Sequence, residues 1–215
     1  MKSLERALVG GALWLLLGNA YALDGNKIFT DGGSRPGAMP CVACHGADGL
    51  GLAAAGFPRL AGLSAQYVSK QLADFASGAR SNAVMQPLAK ALTEAEIAAL
   101  SDAVAVMPAP LTAKAPRSLM PENPVEKLAL QGAWERQIPA CASCHGPGGV
   151  GVGDAFPPLA GQPAAYLAAQ LNAWQNGARR NDPNDLMGHI AKSMTADEVQ
   201  AVARYFASLP VEAKP

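Results

Sequence analysis

An excess of either charge is missing from this sequence. Its 215 residues carry 17 Lys and Arg against 17 Asp and Glu. The balance is also local: residues 23–115 hold seven basic and seven acidic residues, and 116–215 hold eight and nine. No basic patch is present to meet a nucleic-acid backbone. Long apolar runs are lacking as well. The one candidate, Ala7 to Leu17, is too short for a comfortable membrane span, which takes about 20 apolar residues. Aromatic residues make up 6% of the chain, so a core has little bulk to draw on. The alternation of apolar and polar positions that marks a half-buried strand is not evident. Cysteine and histidine are scarce, at four and three residues, which makes their placement informative.

All four cysteines and two of the histidines fall in two copies of one pattern. These are Cys41-Val42-Ala43-Cys44-His45 and Cys141-Ala142-Ser143-Cys144-His145. Cys-x-x-Cys-His reads as a c-type haem attachment site. Two thiols one helical turn apart can each form a thioether to a vinyl group of one haem, and the next residue is then the proximal iron ligand. Other readings explain less. A thioredoxin-type pair needs no following histidine. A zinc site made of the four thiolates would leave both histidines without a role. A disulfide between residues three apart is a redox motif more often than a staple.

The chain begins as an exported protein would. Lys2 and Arg6 precede the short apolar run, and Ala20-Tyr21-Ala22 offers a cleavage site, so residues 1–22 are expected to be a signal peptide. Behind it lies an internal repeat. Phe57-Pro58-Arg59-Leu60-Ala61-Gly62 matches Phe156-Pro157-Pro158-Leu159-Ala160-Gly161. Tyr67, Gln71, Leu72 and Phe75 match Tyr166, Gln170, Leu171 and Trp174. Gly78-Ala79-Arg80 matches Gly177-Ala178-Arg179, and Thr93-x-x-Glu96 matches Thr195-x-x-Glu198. The expected organisation is domain 1 at 23–106, a proline-rich extended linker at 107–124, and domain 2 at 125–215. Domains this small often need a staple, and a covalently held haem would supply the missing apolar bulk.

The local pattern is helical. Apolar residues recur at helical spacing over 64–77 and 163–176, each run stopped by a glycine. Thr93 and Thr195 open capping boxes ahead of a last helix in each half. Shorter helices are expected around 25–31 and 125–132. For the sixth iron position, Met85 and Met187 occupy the same repeat position, in a loop just ahead of the capped helix, whereas the other methionines do not match between halves. A core-filling role is the ordinary alternative for a methionine. His189, the spare histidine, is a competing ligand, although its counterpart is Pro87; a solvent-facing role suits it better. The Pro58 and Pro157 carbonyls are candidates to accept the other ring N–H of His45 and His145, unless they simply form turns. Arg80 and Arg179 are either partners of haem propionates or solvated surface charges.

Taken together, Cys-x-x-Cys-His-Gly, Phe-Pro-x-Leu-Ala-Gly, Gly-Ala-Arg, a later methionine and a capped last helix resemble the class I cytochromes c. Their duplication resembles the two-haem cytochrome c4 proteins of bacteria. The resemblance implies an all-α fold of two tandem class I cytochrome c domains, each wrapped around a covalently attached haem c. It implies His45–Met85 and His145–Met187 ligation and haem edges that face each other. It also implies a periplasmic carrier, often membrane-associated, that passes electrons from a cytochrome bc complex or a dehydrogenase towards a terminal oxidase or reductase. Tyr205-Phe206 in the last helix follows the family, but domain 1 has Ala103-Val104. Packing of its last helix against its first is therefore expected to be looser. A three-residue insertion lengthens the methionine segment of domain 2. An electron carrier without catalytic activity is the leading reading. A haem-bearing subunit of a dehydrogenase complex uses the same domain, and a two-haem peroxidase would need an open iron and acid–base residues placed around it.

Overall fold

The structure, a computed structural model, describes residues 23–112, 120–209 and 211–212. The expected signal segment lies outside the described residues, as does Pro116 of the linker. Domain 1 contains α1 (Gly25–Asp31), α2 (Val42–His45), α3 (Ala65–Ser77), α4 (Met85–Ala91) and α5 (Glu94–Val106). Domain 2 repeats the order with α6 (Pro124–Gln131), α7 (Cys141–His145), α8 (Ala164–Gln175), α9 (Leu186–Lys192) and α10 (Ala196–Ser208). Two-residue strands, β1 (Leu111–Thr112) and β2 (Val211–Glu212), pair antiparallel. The fold is otherwise helical, with short 3₁₀ turns.

Local chemistry sets the helix ends. Asp24 Oδ1 caps α1 by accepting the Asn26 and Lys27 N–H groups, and Asn123 Oδ1 caps α6 through Glu126 N–H. Both capping boxes form, Thr93 with Glu96 and Thr195 with Glu198. Gly78 ends α3 in the left-handed region at φ 85°. Pro124, read from sequence as a helix-blocking linker residue, instead opens α6 at its first position. A missing N–H costs nothing there, because the first-turn N–H groups have no partner within the helix. At the other end of the linker, Met107 packs onto the domain 1 core, and Ala109 lies against Gly62.

The first and last helices cross in both domains, and the expectation of looser packing in domain 1 is overturned. Gly25 is buried, and a Cβ there would strike the Ala99 carbonyl and the Ala103 methyl. The small side chains at 25 and 103 let the two backbones approach closely. Domain 2 places Val125 and Tyr205 at the matching positions. Bulk is exchanged one layer deeper too. Phe29 and Val104 fill the domain 1 core, whereas Ala129 and Phe206 fill that of domain 2. In domain 2, Phe206 covers Gly149, whose Cβ would lie 2.9 Å from the ring. Over the corresponding Gly49 sits the Met107 sulfur, also 2.9 Å from a Cβ placed there.

Candidate haem-binding sites

Each domain encloses a cavity, of about 500 Å³ in domain 1 and about 420 Å³ in domain 2. Volumes in this range suit a bound cofactor. Cys41, Cys44, His45 and Met85 line the first; Cys141, Cys144, His145 and Met187 line the second. The structure thus gathers each sequence-selected set of four around one cavity. Residues 41–45 and 141–145 form one turn of helix, so both thiols and the histidine meet the same space. None of the four cysteines is in a disulfide. Burial pushes the Cys41 and Cys141 thiols up to about 11, the opposite of an activated redox thiolate.

Each histidine is 7% exposed, and its Nδ1 is engaged. His45 Nδ1 bonds the Pro58 carbonyl at 3.0 Å, and His145 Nδ1 bonds the Pro157 carbonyl at 2.7 Å. The carbonyl fixes the proton on Nδ1 and leaves Nε2 with its lone pair for a metal. Burial lowers both histidine pKa values and favours the neutral ring that a ligand must be.

Met85 and Met187 do not sit in loops, as read from sequence. Met85 is the first residue of α4 and Met187 the second of α9. Asn82 Oδ1 accepts the Met85 N–H at 2.9 Å, and Asp182 accepts the Met187 N–H. These short polar side chains start the helices, which the sequence pattern did not disclose. Just after the insertion at Asp182-Pro183-Asn184, Asp185 stands at φ 48°, with its carboxylate against Gly188. His189 is exposed and lines neither cavity.

The domains meet along α3, α8 and the Gly-Ala-Arg turns. The backbones of Arg80 and Arg179 pair as an antiparallel bridge. Ser81 N–H donates to the Ala178 carbonyl and Arg180 N–H to the Ala79 carbonyl, both at 2.7 Å. Side chains reciprocate. Arg80 donates to Gln71 at 3.0 Å, Tyr166 Oη at 3.0 Å and Gln170 at 2.6 Å. Arg179 donates to Gln170 at 3.2 Å, Tyr67 Oη at 3.4 Å and Gln71 at 3.1 Å. Arg80 also lies 4.4 Å over Phe75, and Arg179 3.9 Å over Trp174. At 6% exposure these arginines are not solvated surface charges.

That network is the principal feature sequence reasoning missed. Its signal was there: Gln71 and Gln170 repeat at matching positions on otherwise apolar helix faces. The two buried guanidiniums hydrogen-bond neutral acceptors, with the Asp74 carboxylate acting on Arg80 from further off, so added negative charge would be stabilised beside them. Two further buried donors on the cavity walls, Arg59 Nε and Trp174 Nε1, have no acceptor among the described residues. A macrocycle with carboxylate arms fits this apolar, donor-rimmed space.

Paired thiols, a buried histidine and a methionine around each of two cavities, in an all-helical duplicated fold, define a two-haem c-type cytochrome. The Cytochrome c family model matches residues 22–102 and 136–210. The chain therefore belongs to the cytochrome c family, in its two-domain, cytochrome c4-like branch. It is 60% identical over 209 residues to the thiosulfate dehydrogenase electron acceptor of Stutzerimonas stutzeri (strain A1501), covering 97% of each chain. Among solved structures it resembles reduced cytochrome c4 from Pseudomonas stutzeri, with a TM-score of 0.69, 31% identity, and coverage of 79% of this chain and 93% of that one. It also resembles thiosulfate dehydrogenase (TsdBA) from Marichromatium purpuratum, with a TM-score of 0.77 and 45% identity, over 86% of this chain and 40% of that longer one. The protein is a diheme electron-transfer protein with two covalently bound haem c groups, one on Cys41 and Cys44 and one on Cys141 and Cys144.

Proposed function

We propose that this protein is a periplasmic electron carrier that accepts electrons from a thiosulfate-oxidising dehydrogenase and delivers them to a further respiratory acceptor. The observation that carries this reading is the pair of cavities, each presenting both a histidine and a methionine, one on either side of a shared polar interface. Each bound haem supplies an iron that takes up and releases one electron. His45 with Met85, and His145 with Met187, would hold the two irons, and an iron so held would have no position for a substrate. The chain therefore carries electrons and has no catalytic residue of its own. A methionine thioether sulfur would favour the reduced iron and raise its potential. The Pro58 and Pro157 carbonyls keep the imidazoles oriented, while Arg80 and Arg179 would supply positive charge to the propionates. The domains run over 23–106 and 124–215, joined by a linker at 107–123, one residue shorter than the 107–124 read from sequence because Pro124 opens α6, and preceded by a cleaved export signal at 1–22. Among the described residues no helix is long and apolar enough to cross a membrane.

The choice of donor is supported by the name of the relative that is 60% identical over nearly the whole chain, a thiosulfate dehydrogenase electron acceptor. A permanent dehydrogenase subunit is the second reading, favoured by the likeness to 40% of a longer thiosulfate dehydrogenase chain. The test mixes oxidised holo-protein with a thiosulfate dehydrogenase and thiosulfate and follows the haem bands. Reduction of both haems, two far-red iron–methionine bands when oxidised, and no carbon monoxide binding when reduced are expected. A haem that takes carbon monoxide overturns the closed ligand pairs. Failure of thiosulfate to reduce the protein through the dehydrogenase overturns the donor. Stoichiometric co-purification with the dehydrogenase replaces the carrier by the subunit.

A further inference from the structure

The peptide group joining Pro58 to Arg59 makes two hydrogen bonds at once. Its carbonyl is the acceptor for His45 Nδ1 at 3.0 Å. Its N–H donates to Gln162 Oε1, a side chain of the other domain, at 3.0 Å. The Gln162 amide nitrogen closes the ring by donating to the Arg59 carbonyl at 2.9 Å. Gln162 is 4% exposed, so water does not compete for these groups. The N–H and C=O of one peptide share a delocalised electron system. An acceptor on the N–H shifts electron density to the carbonyl oxygen and strengthens the bond that oxygen accepts. The carbonyl then draws harder on the Nδ1 proton, and the imidazole becomes a more basic metal ligand.

Domain 2 has no such chain. His145 Nδ1 bonds the Pro157 carbonyl at 2.7 Å, but that peptide leads into Pro158, which has no N–H to donate. The repeat partner of Gln162 is Leu63, which cannot accept. Two separate sequence differences, Arg59 against Pro158 and Gln162 against Leu63, make the arrangement one-sided.

We propose that Gln162 is a positioning residue through which domain 2 tunes the iron of domain 1. By polarising the 58–59 peptide it strengthens His45 as a donor, favours the oxidised iron, and holds the domain 1 haem at a lower potential than it would otherwise have. No reciprocal device acts on the domain 2 haem. The inference rests on the proposed ligation by His45 and Met85.

The test is Gln162→Leu in the intact two-haem protein, with each haem followed separately by its ligand resonances in proton NMR during a reductive titration. At fixed solution potential, the reduced-to-oxidised ratio of the domain 1 haem is expected to rise about two- to threefold, the size of a partial strengthening of one hydrogen bond. The domain 2 ratio stays put. Gln162→Glu keeps a stronger acceptor and lowers the domain 1 ratio more than the domain 2 ratio, which serves if the leucine variant does not fold. Ser64→Ala is the control. It removes the bond to Asp154 across the interface and the α3 N-cap on Tyr67 N–H without touching the 58–59 peptide, and the domain 1 ratio does not move relative to the domain 2 ratio. An unmoved domain 1 ratio, or equal shifts at both haems, overturns the proposal. Absence of histidine and methionine ligand resonances from domain 1 of the unaltered protein instead overturns the ligation on which it rests.

Discussion

The two domains solve one packing problem with opposite distributions of bulk. In domain 1 the first helix brings Phe29 and the last brings Val104; in domain 2 the first brings Ala129 and the last brings Phe206. Gly25 with Ala103 stands against Val125 with Tyr205 at the outer layer of the same crossing. The cavity walls, by contrast, repeat: Cys, Cys, His, Met, Tyr, Gln and Arg recur at matching places. Ligand-facing positions answer to one rigid group and keep their residues. Core positions answer only to total volume, so one side can grow as the other shrinks.

Paired substitutions probe this comparison. The largest effect is expected from Phe206→Ala, which empties the domain 2 crossing and uncovers Gly149; a loss of about 3–5 kcal/mol is expected from denaturant unfolding. Val104→Ala at the matching position removes far less volume and costs correspondingly less. If the two losses were equal, the exchange of bulk would not describe the cores. Next comes Gly25→Ala, which pushes a methyl into the Ala99 carbonyl. Overpacking of about 1–3 kcal/mol is expected, read as earlier unfolding of domain 1. Val125→Ala in domain 2 only trims a partly buried side chain, and a similar cost there would break the contrast.

The smallest effect separates the capping boxes. Glu96 and Glu198 are both held down at about 2, but by different partners. The Thr93 N–H leads for Glu96, which also accepts the Ser34 N–H at 2.6 Å. The Arg136 guanidinium leads for Glu198, with bonds of 2.6 and 2.9 Å. Because both values lie below the ordinary 4.5, the stability each adds is complete above 4.5 and is lost as pH falls towards 2. Glu96→Gln and Glu198→Gln should each flatten the acid limb of a stability–pH curve. Added salt should weaken the Glu198 contribution more than the Glu96 one, because its leading partner is a solvent-reached charge and not a backbone N–H.

Much of the site was legible because it is local in sequence. A five-residue motif places two thiols and a histidine on one turn, and a four-residue box starts a helix. The Pro58 and Pro157 carbonyls followed from the rule that a bound imidazole uses its other nitrogen. What escaped depends on contacts between distant residues. Arg80 reads as a surface charge until α8 is laid beside α3. Leucine and glutamine at 63 and 162 look like a trivial difference until the Arg59 backbone appears across the interface. The Gly25 crossing was misjudged because bulk was judged on the last helix alone, where Ala103 looks deficient, and not on the pair. Met85 was put in a loop because Asn82, which starts its helix, belongs to no box.

The reciprocity of the interface, where Arg80 meets Gln170 and Arg179 meets Gln71, has a consequence for assembly. A surface whose every contact is returned by its own counterpart is what two identical subunits use to close a dimer. Joined in one chain, the halves meet at an effective concentration of about millimolar rather than by chance encounter. The linker thus relieves the contact of the need to be tight or perfectly matched. Half of it can therefore differ, as Arg59 and Gln162 differ from Pro158 and Leu63, without the pair coming apart. A two-fold assembly of equal partners becomes a single molecule whose two ends can differ, and so one that can be read in a direction.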